Sequence, residues 1–510
     1  MNFVLDALNN NSEQNPHRVA LISEDASLSY ATLERKVHTL ANVLSKSGAT
    51  MLAWELDNGI DWIITDLAAM KAGLNSVPIP GYFTADQKSR LIRTAGVDLL
   101  ICASSKAGLV QATDWQPLNT VPFTTVPFTT DLSCSLYRNE QTRACALPRE
   151  GIKVTFTSGS TGQPRGVCLD INAIDQVVQS IVTVMEPIPV ERHLCVLPLG
   201  TLLENIAGVY APLVKGIEVA VPHLATVGIN GSSNLDINAF SQTINRFRPD
   251  SLILVPQLLM ALTTAIQFEL AQHTDFSFIA VGGGKVSTPL LELSELLGLP
   301  VYEGYGLSEA ASVVSLNLPG QVKQGTTGKP LPHADIRLDE NRQILVRGAL
   351  MRGYLGESGL EPIETDWLAT GDTGCLDTEG FIRIDGRIKN MFVTSWGRNV
   401  NPEWMEAELG QHVQISQCLA FGEAKDHNLM LVWPRFSQTE AELLELISSV
   451  NARLPDYAGI HCWITMDDPL PESFLTANGR IRRDHVLAEY RHLIDHHYST
   501  CQGEKCYGVL

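Results

Sequence analysis

The chain has no block of lysine and arginine and no apolar run long enough to cross a bilayer. Both absences remove function classes. With 37 basic against 56 acidic residues the formal charge is −19, which repels phosphate backbones and anionic lipid surfaces. Nucleic acid and integral membrane association are therefore not expected. The longest apolar stretch, "LILVPQLLMALTTAI" from Leu252 to Ile266, is interrupted by Pro256 and Gln257 and falls short of the ~20 residues a membrane helix needs. It is expected to line a core or a pocket. The opening "MNFVLDALNN" has neither a positive segment nor a sustained apolar core, so no secretory signal is read and a cytoplasmic location is expected. The 10 cysteines show no repeated C-x-x-C spacing, and Cys501 and Cys506 have no histidine at a zinc spacing. They read as reduced, packing thiols. The tail histidines His492, His496 and His497 sit on a polar helical end and read as solvated.

What the sequence does contain is α/β alternation. "YATLERKVHTLANVLSKSG" places Leu33, Val37, Leu40 and Leu44 at helical steps and is followed by the strand-like "MLAWEL". "DWIITDLAAMKAG" then leads into "SVPIP", and "KSRLIRTAG" into "VDLLICA". The pattern continues to about Gly380, and turn residues with charges after "FIRIDG" suggest a boundary near Ile384 to Asn390. The expected division is a large domain over 1–385 and a small one over 386–510.

Behind a β-branched and aromatic run stands "VTFTSGSTGQPRG", Val154 to Gly166. It does not fit the Walker pattern G-x-x-x-x-G-K-[ST]. Its composition nevertheless suits a phosphate: glycines let backbone N–H groups approach an anion, hydroxyls add donors, and Arg165 adds charge. Taken alone, such a loop is better explained as a surface turn between two elements.

The loop does not stand alone. "FTSGSTGQPRG" resembles the "[YF]TSG[ST]TGxPKG" pattern of the acyl-adenylate-forming superfamily, which includes acyl-CoA synthetases, peptide-synthetase adenylation domains and firefly-type luciferases. Further resemblances follow in order along the chain: "LPLGTLLENIAG" (Leu197 to Gly208), "YEGYGLSE" (Tyr302 to Glu309), "WLATGD" (Trp367 to Asp372), "GRIKN" with "GRNVNPEWME" (Gly386 to Glu406), and "ANGRIRR" (Ala477 to Arg483). The resemblance implies an α/β fold, with a large multi-layer domain of sheets and helices and a small, mobile α+β lid. It implies ATP, Mg²⁺ and coenzyme A, or the phosphopantetheine of an acyl carrier protein, as cofactors, and a small carboxylic acid as substrate.

It also implies roles for individual residues. Thr157, Ser158, Gly159, Ser160, Thr161 and Gly162, with Arg165, would hold the β- and γ-phosphates and the departing pyrophosphate. Glu309 would take Mg²⁺ as a hard oxygen ligand, and Ser308 would touch the α-phosphate. Tyr305 and Gly306 would face adenine, with close approach allowed by Gly283 and Gly284. Asp372 would accept hydrogen bonds from both ribose hydroxyls, helped by Arg387. Lys389 would be the hinge about which the lid turns, and Arg480 would bridge the substrate carboxylate and the α-phosphate. Read alone, Asp372 could cap a helix and Glu309 could open one. Tyr302 and Trp367 read as packing residues.

Three positions depart from the family pattern. Arg165 and Arg480 replace lysines, keeping charge but not geometry, and Thr201 stands where many relatives carry histidine. Amino-acid-activating relatives place an aspartate five residues before the glutamate that is Glu204 here; the chain has Leu199. An unpaired buried ammonium would be costly, so a hydrophobic, fatty-type acid is expected. The expected activity is ATP-dependent acyl-adenylate formation with pyrophosphate release, then transfer to a thiol, most simply coenzyme A. Transfer to a carrier protein, another adenylate-consuming step, and a non-catalytic nucleotide-binding member stay open as alternatives.

Overall fold

The computed structural model describes the chain except residues 1, 82, 104–114, 118–133, 140–146, 158–164, 231–233, 476–480, 501–506 and 510. Two nine-stranded sheets and a four-stranded one carry the first three quarters of the chain. In one large sheet, Val19–Ile22, Glu218–Ala220, Arg192–Leu194, Ser251–Leu254, Phe278–Val281 and Val301–Leu307 run parallel in that spatial order. In the other, Lys153–Thr157, Asn75–Pro78, Met51–Glu55 and Leu99–Ala103 form the parallel centre.

Two of the three predicted helices lie in a core shared by these sheets, while the third, Ala85–Ala95, packs on the opposite face of the second sheet. Tyr30–Lys46, Ile60–Lys71 and Ile171–Val184 share one core with side chains of both sheets. Strand Met51–Glu55 shows why its sequence is apolar throughout. Leu52 and Trp54 enter this central core, while Met51 and Ala53 enter the core on the opposite face, as a period of two requires in a sheet covered on both sides. Helices Ile237–Phe247, Pro256–Gln267 and Thr288–Leu296 cover the outer face of the first sheet. The apolar stretch Leu252 to Ile266 is thus a strand end and a helix, both contributing to a core and to the cleft described below.

The smaller antiparallel sheet is formed by Ala334–Leu338, Gln343–Gly348, Leu368–Leu376 and Ile382–Arg387. Beyond it the hairpin Phe392–Val393 and Asn399–Val400 precedes a four-stranded sheet of Ile415–Phe421, Asn428–Pro434, Ile460–Thr465 and Tyr507–Val509. That sheet also divides its side chains between two cores, Cys418 and Ala420 on one face and Leu419 and Phe421 on the other. Helix Arg483–Thr500 packs on the second face. Among the described residues no helix is long and apolar enough to cross a membrane.

Candidate active site

The loop 158–164 lies outside the described residues, so Ser158, Gly159, Ser160, Thr161 and Gly162 are not placed; its flanks are. Strand Lys153–Thr157 pairs antiparallel with Arg165–Leu169, and Thr157 sits opposite Arg165. The chain therefore enters and leaves the loop on neighbouring strands of one sheet. A Walker loop runs from a strand into a helix. Here the return is a strand, so no helix dipole follows the loop and the positive charge at its exit is the Arg165 guanidinium.

Arg165 points at two partners, neither of which a sequence pattern flagged. Its guanidinium lies 5.1 Å from the centre of the Tyr354 ring and 3.5 Å from a Glu361 carboxylate oxygen. The Tyr354 hydroxyl donates to Glu309 at 2.9 Å. Burial and the adjoining Glu309 carboxylate push the Tyr354 phenol up, so it stays a donor at any physiological pH. Tyr354 reaches this position because Gly353–Gly356 pairs with Arg165–Leu169, Tyr354 facing Val167 in the ladder. A long-range strand pairing thus places one side chain between the end of the phosphate-type loop and the proposed metal ligand.

Glu309 itself stands in the one-turn helix Ser308–Ala310, held by a hydrogen bond from Met351 N to its carbonyl at 2.8 Å. The turn does not grow into a longer helix. Ala311 and Ser312 follow at φ 51° and 96°, a strained reversal that sends the chain back as strand Ser312–Leu316. The reversal brings Ser312 so close to Gly306 that a Cβ on Gly306 would lie 1.7 Å from the Ser312 carbonyl oxygen. Only glycine fits there.

Asp372 is not a helix cap. It lies within strand Leu368–Leu376, is 5% exposed, and pairs in the ladder with Arg387. One carboxylate oxygen accepts from Tyr305 Oη at 2.6 Å, and the other lies 2.8 Å from Arg387 Nε. The Arg387 guanidinium also donates to the Thr370 carbonyl at 3.0 Å. Burial, then the Asp372 charge, pushes the Tyr305 phenol well up. These contacts fix the orientation of the Asp372 carboxylate.

A single cleft of about 2970 Å³ joins these groups. Its lining includes Arg165, Gly283, Gly284, Tyr305, Gly306, Ser308, Glu309, Asp372, Arg387 and Lys389, which gathers in one place every described cleft-facing residue singled out from the sequence. Tyr302 packs instead, stacked on Phe278 with ring centres 4.8 Å apart. Trp367 packs against the guanidinium groups of Arg337 and Arg347, 4.2 and 4.9 Å from its ring centre. Lys389 is exposed in a turn just after Arg387. Arg480 lies outside the described residues, but Leu475 and Ile481 bridge each other and line the cleft, so the ends of its segment meet at the rim.

Inward the cleft turns apolar, lined by Ile181, Met185, Ala207, Ile217 and Phe278. Glu204, in the π-helical turn Glu204–Tyr210, does not open into it as a charge. It is fully buried, 3.0 Å from His193 Nε2, and accepts from Leu197 N at 3.0 Å. A Cβ on Gly208 would lie 2.2 Å from the Glu204 carboxylate. Leu199 is 1% exposed and Thr201 half-buried.

One expectation fails outside the cleft. His492 and His496 are exposed, but His497 is 7% exposed and faces His427 and Cys462; the helix is polar, yet its inner face docks on the sheet. Cys102, Cys168, Cys195, Cys418 and Cys462 are buried.

Comparisons with known proteins agree with this geometry. The family described as AMP-binding enzyme matches residues 8–355, and its C-terminal domain matches residues 389–502. A long-chain-fatty-acid–CoA ligase, FadD15, of Mycobacterium bovis is 25% identical over 72% of this chain and 70% of its own length. An anthranilate CoA ligase solved with anthranoyl-AMP superposes with a TM-score of 0.79 at 18% identity, covering 96% of this chain and 97% of that one. The o-succinylbenzoate coenzyme A synthetase of Bacillus subtilis, solved with ATP and magnesium, gives 0.72 at 21% identity over 94% of this chain and 98% of that one. The two solved structures show the fold, and the family match extends over most of the chain. This protein belongs to the AMP-binding enzyme family, the AMP-forming acid–thiol ligases.

Proposed function

We propose that the protein activates a hydrophobic, fatty-type carboxylic acid with ATP and passes the acyl group to coenzyme A. The observation that carries this reading is the continuity of one cleft from Asp372 and Glu309 to the apolar wall formed by Ile181, Met185 and Phe278. An alkyl chain would be held there by area, at about 25 cal/mol per Å². An α-amino acid fits poorly, because Leu199 offers no charge and the Glu204 carboxylate is committed to His193 and Leu197 N.

In the first half-reaction the acid's carboxylate oxygen attacks the α-phosphorus and pyrophosphate leaves. Asp372 accepts from the ribose diol, with Tyr305 and Arg387 holding its carboxylate in place. The loop 157–166 and Arg165 receive the pyrophosphate charge, and Arg480 bridges the reacting carboxylate and α-phosphate. The Glu309 carboxylate, oriented by Tyr354, fits a hard cation such as Mg²⁺, which supplies charge neutralisation on the phosphates. In the second half-reaction the thiol sulfur attacks the acyl carbon and AMP leaves. For this step residues 386–510 form a separate lid that turns about Lys389, so one cleft serves both chemistries.

The test is pyrophosphate release from the full chain with ATP and Mg²⁺ against fatty, aryl and hydroxy acids, with and without coenzyme A. Release with fatty acids, followed by acyl-CoA, is expected, and Arg480→Ala should slow adenylation more than acyl transfer. Release with aryl acids alone would overturn the substrate class. No release from folded, ATP-binding protein across the panel would overturn the activity.

A further inference from the structure

The C-terminal sheet carries a second cluster of ligating groups that the proposed reaction does not use. His427 lies in the turn before strand Asn428–Pro434, Cys462 in strand Ile460–Thr465 and His497 on helix Arg483–Thr500. One ligand atom from each lies within 4.8 Å of the other two. Cys462 and His497 are 2% and 7% exposed. We infer that these three side chains form a site for a divalent transition ion of the zinc type, tying the last helix to the sheet.

The surroundings match what such an ion requires. The Asp426 carboxylate lies 2.7 Å from His427 Nδ1. A carboxylate on that nitrogen selects the Nδ1–H tautomer and aims the Nε2 lone pair at a metal. His427 Nε2 is buried and has no hydrogen-bond partner among the described residues. One thiolate and the Asp426 carboxylate together balance the charge of a divalent ion, so the buried site need hold no net charge. Metal–ligand distances of about 2.0–2.3 Å place tetrahedral donors roughly 3.4–3.6 Å apart, inside the 4.8 Å limit within which the three ligand atoms lie. Three protein ligands from the described residues leave a fourth position of a tetrahedral ion to be filled.

The other buried group of ligating side chains, His193, Cys195 and Glu204, does not share this character. Both ring nitrogens of His193 are already engaged, by Ser251 and Glu204. The C-terminal cluster also touches the lid loop. The Asp426 carbonyl accepts from Trp396 Nε1 at 3.2 Å, and Trp396, 76% exposed, sits in the hairpin that follows Lys389. An ion on His427 would stiffen the turn that anchors this loop.

The experiment uses nucleotide-free full-length protein, stripped with chelator and titrated with Co²⁺. One equivalent should bind with a thiolate-to-cobalt charge-transfer band and the visible bands of a tetrahedral ion. Cys462→Ser should abolish the charge-transfer band. Asp426→Asn should weaken binding about 10- to 100-fold through the orientation of His427. The paired changes His492→Gln with His496→Gln, and Cys501→Ser with Cys506→Ser, should leave the spectrum unchanged. Should Cys462→Ser fail to fold, zinc-dependent protection of Cys462 from alkylation in the unaltered protein, read by peptide mass spectrometry, takes its place. Absence of a thiolate band, a band that survives Cys462→Ser, a band lost with the tail cysteines, or alkylation of Cys462 indifferent to zinc would overturn the proposal.

Discussion

Tyr354→Phe removes one oxygen atom and separates two contacts made by the same ring. The hydroxyl donates to Glu309 at 2.9 Å, while the ring faces the Arg165 guanidinium at 5.1 Å. A hydrogen bond to a charged group contributes about 1.5–3 kcal/mol. If that contact orients Glu309 for the metal–nucleotide complex, kcat/KM for adenylation falls about 10- to 150-fold, and the Mg²⁺ concentration for half-maximal rate rises. The loss should be constant across neutral pH, because burial and Glu309 keep the phenol protonated. Tyr354→Leu also removes the face on which Arg165 rests. An exposed cation–π contact contributes about 0.5–1 kcal/mol, so a further two- to fivefold loss is expected. Pyrophosphate release, measured against Mg²⁺ at saturating acid, reads both effects. A phenylalanine variant within twofold of the unaltered protein at every Mg²⁺ concentration would refute the orienting role, and equal losses in the two variants would refute the contribution of the Arg165–ring contact.

Two further expectations concern buried charge. Lys153 and Asp66 lie 2.7 Å apart at 5% and 1% side-chain exposure, and Asn205 and Tyr210 complete the network around the Lys153 ammonium. Asp66→Asn leaves that ammonium without its counter-charge and should destabilise the large domain by about 3–5 kcal/mol, whereas Asp66→Leu with Lys153→Met should cost far less. Urea unfolding followed by tryptophan fluorescence distinguishes them, and equal losses would sink the ion-pair argument. Glu303 is raised to about 7, chiefly by burial, with Lys285 opposing. Between its ordinary value of 4.5 and about 7 the folded state retains a proton that the unfolded chain has lost, so stability falls as pH rises through that window. Glu303→Gln removes this dependence, so its unfolding free energy relative to the unaltered protein should rise by up to about 3 kcal/mol from pH 5 to 7.5, read from melting curves. Parallel melting curves across that range would refute it.

Much of the site was legible before any coordinates because its chemistry is carried by short segments. Asp372, Glu309, Tyr305 and Arg165 each stand in a motif whose residue types suit one part of a nucleotide. Asp372 and Glu309 remained ambiguous as motifs, since acidic residues often cap helices. The strand Leu368–Leu376 removed that reading for the first. For the second, the reversal at Ala311 and Ser312 ended the helix after one turn.

By itself the sequence determined the alternation of helices and strands and the apolar character of the sheets, because side-chain period is a local property of the backbone. It determined the excess negative charge and the order of the nucleotide-type motifs for the same reason. Which faces meet was decided only in three dimensions. Tyr354 bridges Arg165 and Glu309 through a strand pairing that spans nearly two hundred positions. Lys153 is neutralised by Asp66 from a different layer. His497, on a helix that reads as polar, turns its one buried imidazole toward His427 and Cys462. Each of these contacts depends on packing between segments far apart in the chain, and no local pattern of residue types encodes such a distance.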